Sequence, residues 1–274
     1  MLLRLSLTQR RITERVSDMV IKRLSCVLRL TDGCMNRPLT GSEAALYSDG
    51  IRLRHEYKPG GYFVVTDLPA GECTVTVIAY GYQTENIRIS VSGEDDIPAL
   101  SQVRYIPLNP SEKHPAAARM PSVSGTAPGM STLYVVRPVG NMRVAEESSA
   151  AGADEIKMFS EGKTPPFPCD FVIGSGLHAE LVKFISNQGG VCRTEKPMKY
   201  AHKRSENAVP LIRLQCTDNR FFLLIPGIFS ADSETGKIPL KFAAVKSGKI
   251  VYASAGVLPG RHSDISELKM KGEK

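Results

Sequence analysis

The spacing of apolar residues changes near Ile21. Between Thr8 and Leu24, Ile12, Val16, Met19 and Val20 recur at helical spacing with arginines between them. That spacing predicts a short basic amphipathic helix with Thr8 as its N-cap. From Leu24 the period becomes two: Leu24, Cys26, Leu28 and Leu30 alternate with Ser25, Val27 and Arg29 until Thr31-Asp32-Gly33 stops the run. Alternation closed by Asp-Gly predicts a strand and a turn. Further short strands follow at Ala44 to Tyr47, Ile51 to Tyr57, Tyr62 to Leu68, Cys73 to Ala79, Asn86 to Val91 and Gln102 to Leu108, with Gly, Pro or Asp in most of the turns between them. Closely spaced strands without intervening helices fit an antiparallel sandwich and not a βαβ unit.

After Leu108 the pattern is lost. Residues 109–131 carry Pro110, Pro115, Pro121 and Pro128 among Ser, Ala and Gly, which reads as an extended linker. Periodicity returns at Leu133 to Arg137, stopped by Pro138, and again at Leu211 to Cys216, Arg220 to Ile225, Lys237 to Val245 and Lys249 to Ala253, a meander signature. Residues 138–210 yield few assignments, and 261–274 read as a polar, fraying tail. The expected fold class is therefore mainly β: a basic arm at 1–20, a β-sandwich at 21–108, the linker at 109–131, a second sandwich-like β domain at 132–260, and the tail.

Composition narrows the reading. At 274 residues, with 42% apolar and 23% charged residues, the chain is long enough for two cores and has no fibrous or disordered bias. Its apolar runs are too short to span a membrane as helices, and the N-terminus shows no uninterrupted apolar stretch before a small-residue cleavage site. The expectation is a cytoplasm-made protein without a signal peptide. Six cysteines without C-x-x-C spacing are expected to be reduced and mostly buried, and the scattered histidines predict no metal site.

The net charge of +7 is concentrated. Residues 1–24 hold six basic against two acidic side chains, and residues 193–204 hold five against one, so each segment carries +4. Neither is interleaved with stacking aromatics, so an acidic protein surface is expected as the partner and not a specific nucleic acid. Within the arm, Ile12, Val16 and Val20 with Arg11, Arg15 and Arg23 at the rim are the expected docking residues.

The segments Arg37-Pro38-Leu39-Thr40-Gly41-Ser42-Glu43, Gly61-Tyr62-Phe63-Val64-Val65-Thr66-Asp67-Leu68-Pro69-Ala70-Gly71-Glu72-Cys73-Thr74-Val75-Thr76-Val77, Gly81-Tyr82-Gln83 and Tyr105-Ile106-Pro107-Leu108 resemble the carboxypeptidase regulatory-like domains, also described as transthyretin-like or prealbumin-like sandwiches. The resemblance covers about a third of the chain, residues 21–108. It implies a non-catalytic appendage of the kind found on enzymes, receptors, adhesins and injection-apparatus tips. Gly71 would allow the turn between two core strands, Leu68 would anchor it inward, and Val75 and Val77 would be buried opposite Thr74 and Thr76. Some related adhesin sandwiches carry a Lys–Asn crosslink; Lys22 and Asp67 stand in comparable places, but residues 102–108 contain no Asn.

Chemistry-bearing motifs are few. Asp170 to Ile185 reads as a strand, a G-x-G-x-x-A turn at Gly174-Ser175-Gly176, and a possible helix, with Glu195 about twenty residues beyond the first glycine, the dinucleotide-binding spacing. No parallel-sheet context surrounds it. Gly162-Lys163-Thr164 lacks the earlier glycine of a phosphate loop, and Ser175 and His178 lack the nucleophile elbow of a hydrolase. Glu146-Glu147 and Asp95-Asp96 read as solvated pairs. No catalytic, cofactor-binding or metal-binding residue is expected. The function expected is a non-catalytic structural or adaptor protein docking with other protein subunits in a larger assembly, such as a phage-tail-like or contractile injection particle. The alternatives are a cell-surface ligand- or carbohydrate-binding module, against which the absence of Trp counts, and a nucleotide-cofactor enzyme using the Gly174 turn. Oligomeric state is left open.

Overall fold

The computed structural model describes residues 23–91, 103–145, 148–160 and 162–272. The chain is mainly β. Its first eight strands are β1 (Leu24–Asp32), β2 (Ala44–Ser48), β3 (Ile51–Arg52), β4 (His55–Lys58), β5 (Tyr62–Thr66), β6 (Gly71–Ala79), β7 (Glu85–Val91) and β8 (Val103–Leu108). They form two four-stranded sheets, β4-β5-β1-β8 and β3-β2-β6-β7, with only the β1–β8 pair parallel. The inward positions of both sheets meet in one cluster that includes Leu28, Leu30, Leu46, Phe63, Val65, Val75 and Val77, all inaccessible to solvent. Burying this apolar face is what fixes the register, because a one-residue slip would turn Val75 and Val77 outward and Thr74 and Thr76 inward.

Two turns show how local sequence serves this packing. Gly61, at φ 84°, lies where a Cβ would come within 2.5 Å of the Leu30 carbonyl, so only glycine fits between β1 and the start of β5. Leu68 is buried after β5, and its N–H donates to the Ser25 hydroxyl at 2.8 Å.

The remaining strands are β9 (Ser122–Thr126), β10 (Thr132–Val136), β11 (Met142–Val144), β12 (Ser148–Ser149), β13 (Glu155–Ser160), β14 (Cys169–Ile173), β15 (Glu180–Gln188), β16 (Val191–Thr194), β17 (His202–Lys203), β18 (Asn207–Gln215), β19 (Arg220–Leu224), β20 (Ile238–Lys246), β21 (Lys249–Val257), β22 (His262–Ile265) and β23 (Lys271–Gly272). The order β11-β13-β16-β15-β14-β18 closes on itself through a β11–β18 pairing, giving a ring of six antiparallel strands. Met142, Ile156, Met158, Phe171, Phe184 and Cys192 fill its interior. Beyond β18 the same sheet continues through β10, β20, β21 and β23, and its inner side packs on the three-stranded sheet β19-β9-β22. β18 therefore serves two cores, with Ala208 in the ring and Ile212 and Leu214 in the second sandwich.

Several expectations need correction. Residues 109–131 are not a free linker: Ser122–Thr126 is the middle strand of a sheet, with Val123 and Ala127 wholly buried. The prolines misled the reading because they flank that strand and leave its ladder intact. The segment Ile51 to Tyr57 divides at Leu53-Arg54 into β3 and β4, which belong to different sheets. The tail at 261–274 contributes β22 and β23. Residues 138–210, largely without assignment from sequence, build the ring. The predicted N-terminal helix lies outside the described residues.

All six cysteines are free; Cys26, Cys169 and Cys192 are buried, and burial pushes each of their thiols up to about 12. Among the described residues no helix is long and apolar enough to cross a membrane.

Candidate functional site

Of the expected docking residues, Arg11, Ile12, Arg15, Val16 and Val20 lie outside the described residues. Arg23 is held against the sandwich: its backbone N–H donates to Asp67 Oδ1 at 2.9 Å and its guanidinium to the Leu68 carbonyl at 3.1 Å. The acidic pairs Glu146-Glu147 and Asp95-Asp96 also lie outside the described residues.

The Gly174-Ser175-Gly176 turn is a hairpin connection. Gly174 and Gly176 have φ of 77° and 59°, a single short 3₁₀ turn follows, and the chain then enters β15, which pairs antiparallel with β14. A phosphate-binding glycine turn needs a helix whose N-terminal amides face the anion, and at this place a strand follows. The predicted helix after Gly176 and the nucleotide-cofactor reading that rests on it are corrected accordingly. Ser175 and His178 are exposed, and the His178 ring meets the Tyr200 ring edge-on at 5.5 Å.

Three other histidines sit in polar constellations that the sequence did not single out. His114 is buried, and its Nε2 is 3.3 Å from Asp32 Oδ2. Its Nδ1 accepts from the Ala116 amide at 3.2 Å, so Nε2 carries the proton that faces the carboxylate. Asp32 itself is fully buried and saturated: Oδ1 accepts from the Cys34 and Met35 amides, and Oδ2 also accepts from the Tyr82 hydroxyl at 2.8 Å. Burial first, and then the bond to Asp32, push the Tyr82 phenol well above its ordinary range. Every hydrogen-bonding position of the dyad is taken by the fold, leaving no lone pair for a substrate proton.

His202, at the mouth of the ring, is wholly buried between Glu180 Oε1 at 2.7 Å and Glu206 Oε2 at 2.9 Å. Glu180 also accepts from the Lys199 and Tyr200 amides, so the clamp ties the loop after β16 to β15 and β18. The third constellation joins β9 to β22: Ser122 Oγ is 3.0 Å from His262 Nδ1, Ser124 Oγ is 3.1 Å from His262 Nε2, and Ser124 donates to Asp264 at 3.2 Å. The residue types are those of a hydrolase triad, but the arrangement differs. The carboxylate meets the serine instead of orienting the imidazole, and one hydroxyl proton cannot serve both Asp264 and His262. The consistent chain runs from the Ser122 hydroxyl to Nδ1, from Nε2–H to Ser124, and from Ser124 to Asp264. Ser124 is also only 3% exposed, out of reach of an acyl substrate. Its serines lie in a proline-flanked stretch and its histidine in a polar one, so no local motif points to it.

A cleft of about 710 Å³ lies where the first sandwich, the ring and the second sandwich meet. The first sandwich contributes Arg29, Glu85 and Tyr105; the rest contributes Arg137, Lys163, Asp170, Lys183 and Arg213. Direct contacts hold its walls together. The Gln215 amide donates to Glu85, and the Cys34 thiol approaches the Leu224 carbonyl at 3.7 Å. Burial raises the Glu85 carboxyl above its ordinary range, with Arg213 and Lys183 pulling it back; Asp170 is raised for the same reason, with Lys183 and Arg213 again opposing. Lys183 is paired with Glu195 at 2.7 Å, and the Arg29 guanidinium lies 5.5 Å from both the Tyr62 and Tyr105 rings. Apolar surface from Phe167, Pro165 and Ile228 completes the lining. Among the described residues no group of His, Cys, Asp and Glu is placed to hold a metal ion. No family model matches the chain, and no curated protein matches it.

Proposed function

We propose that the chain is a non-catalytic structural or adaptor protein that docks with other subunits in a larger protein assembly, of the phage-tail-like or contractile-injection kind. The observation that carries this reading is the edge of the first sandwich. β7 runs for seven residues, pairs with β6 alone among the described residues, and alternates buried Ile87, Ile89 and Val91 with exposed Asn86, Arg88 and Ser90. An open ladder of this length is a template for a partner strand, and its polar outward side chains keep it from sticking to itself. The resemblance of residues 21–108 to carboxypeptidase regulatory-like domains supports the same reading, as does the commitment of the three histidine constellations to internal hydrogen bonds. The basic arm at 1–20 is proposed as a second docking element.

The test is recovery of the protein from native extracts. It should run far above its 29.9 kDa monomer mass, in fixed stoichiometry with defined partners, and deletion of residues 1–20 should leave the β core folded while abolishing incorporation. A strictly monomeric protein in those extracts would overturn the reading. A ligand-binding module is the second reading, favoured by the cleft between the sandwiches and the ring.

A further inference from the structure

The cleft carries an inference that goes beyond assembly. Its wall includes five cationic side chains against three carboxylates. Asp32 is one of those carboxylates, and its oxygens are already filled by Cys34, Met35, Tyr82 and His114. Among the cations, Lys183 is satisfied by Glu195, and Arg29 by the Gly60 carbonyl and two tyrosine rings. Arg137 is not. The Arg137 Nε is buried without a hydrogen-bond partner. Arg213 is exposed, lies on the other face of the β10–β18 pair and has its electrostatic neighbours in Glu85 and Asp170.

A buried guanidinium donor without an acceptor is costly to keep and is resolved when an oxyanion arrives, because the planar fork matches carboxylate and phosphate geometry. The remaining lining is suited to an organic body, with Phe167, Pro165 and Ile228 presenting apolar surface. The volume falls within the range of small-molecule sites. We propose that the cleft binds a small organic anion, its carboxylate or phosphate group held by Arg137 and its apolar body lying against the Phe167 and Ile228 side of the wall.

The experiment uses the full chain in titration calorimetry and thermal melts with inorganic phosphate, phenyl phosphate and benzoate, and with phenol and benzamide as neutral counterparts. The expected result is saturable binding of phenyl phosphate or benzoate, with a concentration-dependent rise in Tm, and at least tenfold weaker binding of the neutral molecules. Whichever of the two binds more tightly identifies the head group as phosphate or carboxylate. R137Q should weaken binding at least tenfold, and R137K should weaken it less than R137Q does. R143Q, on the exposed outer face of the ring, should leave binding unchanged. Absence of saturation by every anion at millimolar concentration, equal binding of the neutral molecules, or undiminished binding by R137Q would each overturn the proposal. Should R137Q fail to fold, R137K decides: binding indistinguishable from the parent's overturns the proposal, and weakened binding supports it.

Discussion

The His114 ring and the Asp32 carboxylate lie 3.3 Å apart and both are buried, although one belongs to the first strand of the first sandwich and the other to the segment that leaves it. The contact converts what reads as a hinge into part of the wall. Gly81 completes it: a Cβ there would sit 3.0 Å from the His114 backbone, and the Gly81 carbonyl accepts the Ser111 amide at 2.8 Å.

Asp32 is expected to be among the least replaceable polar residues. Truncation in Asp32→Ala strands two backbone amides, a phenol and an imidazole N–H, and should cost on the order of 3–5 kcal/mol. Tyr82→Phe removes one of the four donors and should cost about 1 kcal/mol. Urea unfolding midpoints at constant m-value check both. Equal losses for the two variants would show that the carboxylate is not the hub.

At the mouth of the ring, His202→Ala leaves Glu180 and Glu206 facing one another without the imidazole between them. A loss of about 3 kcal/mol is expected, and at ~2–4 °C per kcal/mol for a chain of this size the melting temperature should fall by roughly 6–12 °C. Glu206→Gln, which keeps an acceptor for the ring and sits nearer solvent, should cost much less. Differential scanning calorimetry separates the two outcomes.

The cleft carboxylates give stability a pH dependence of definite sign. Glu85 and Asp170 are held above their ordinary values of 4.5 and 3.8, so the folded state binds their protons more tightly than the unfolded chain does. Each therefore subtracts stability once pH exceeds its folded value, and the loss is recovered as pH falls toward the unfolded one. Glu43 is opposite: its hydrogen bond with Arg37 lowers it to about 2, so its contribution is present above 4.5 and lost as pH falls through the folded value. That pair is half exposed and its share is small. Glu85→Gln should accordingly melt higher than the parent at pH 7 and converge with it near pH 4.5. A variant that melts lower at pH 7 would mean that the Glu85 charge is stabilising.

Gly125 reports on the β9–β22 pairing. A Cβ there would lie 2.5 Å from the Ile265 carbonyl and 2.9 Å from the Phe221 ring. Gly125→Ala should cost about 1–3 kcal/mol by forcing the strands apart. Amide hydrogen exchange should show the protection of 262–265 falling before that of β20 and β21. Unchanged protection would place β22 outside the cooperative unit.

Much of the strand pattern was legible because its signals are local. Alternation with Gly or Asp turns gave β1, β2, β5, β6, β7 and β8 to within a few residues, and Leu68, Val75 and Val77 are buried as their positions required. The ring was not legible. Its strands are closed by pairings such as Met142 with Ala208, distant in sequence, and a strand such as Met142–Val144 is only three residues long. Ser122–Thr126 was missed because small residues bury without a hydrophobic signature: Ser122, Ser124 and Gly125 are all inside the fold. The helix expected after Gly176 fails for a related reason, since Leu181, Val182 and Phe184 suit either period and only the pairing with β14 decides. The histidine constellations and the cleft join distant segments, which no motif spacing can register.

The pairing of β9 with β22 also sets the order in which the molecule can be made. Ser122 and His262 are 140 residues apart, and the entire ring is threaded between β10 and β18 of the same sandwich. During synthesis the first sandwich can complete as soon as Leu108 has emerged, and the ring once β18 has followed. Val123 and Ala127, by contrast, must wait until the last strands leave the ribosome before their core is sealed. Between the emergence of Leu108 and that of β22 the nascent chain thus carries a finished first sandwich followed by an unclosed apolar surface, which makes that interval the period in which a chaperone or an early-bound neighbour has the greatest purchase on it.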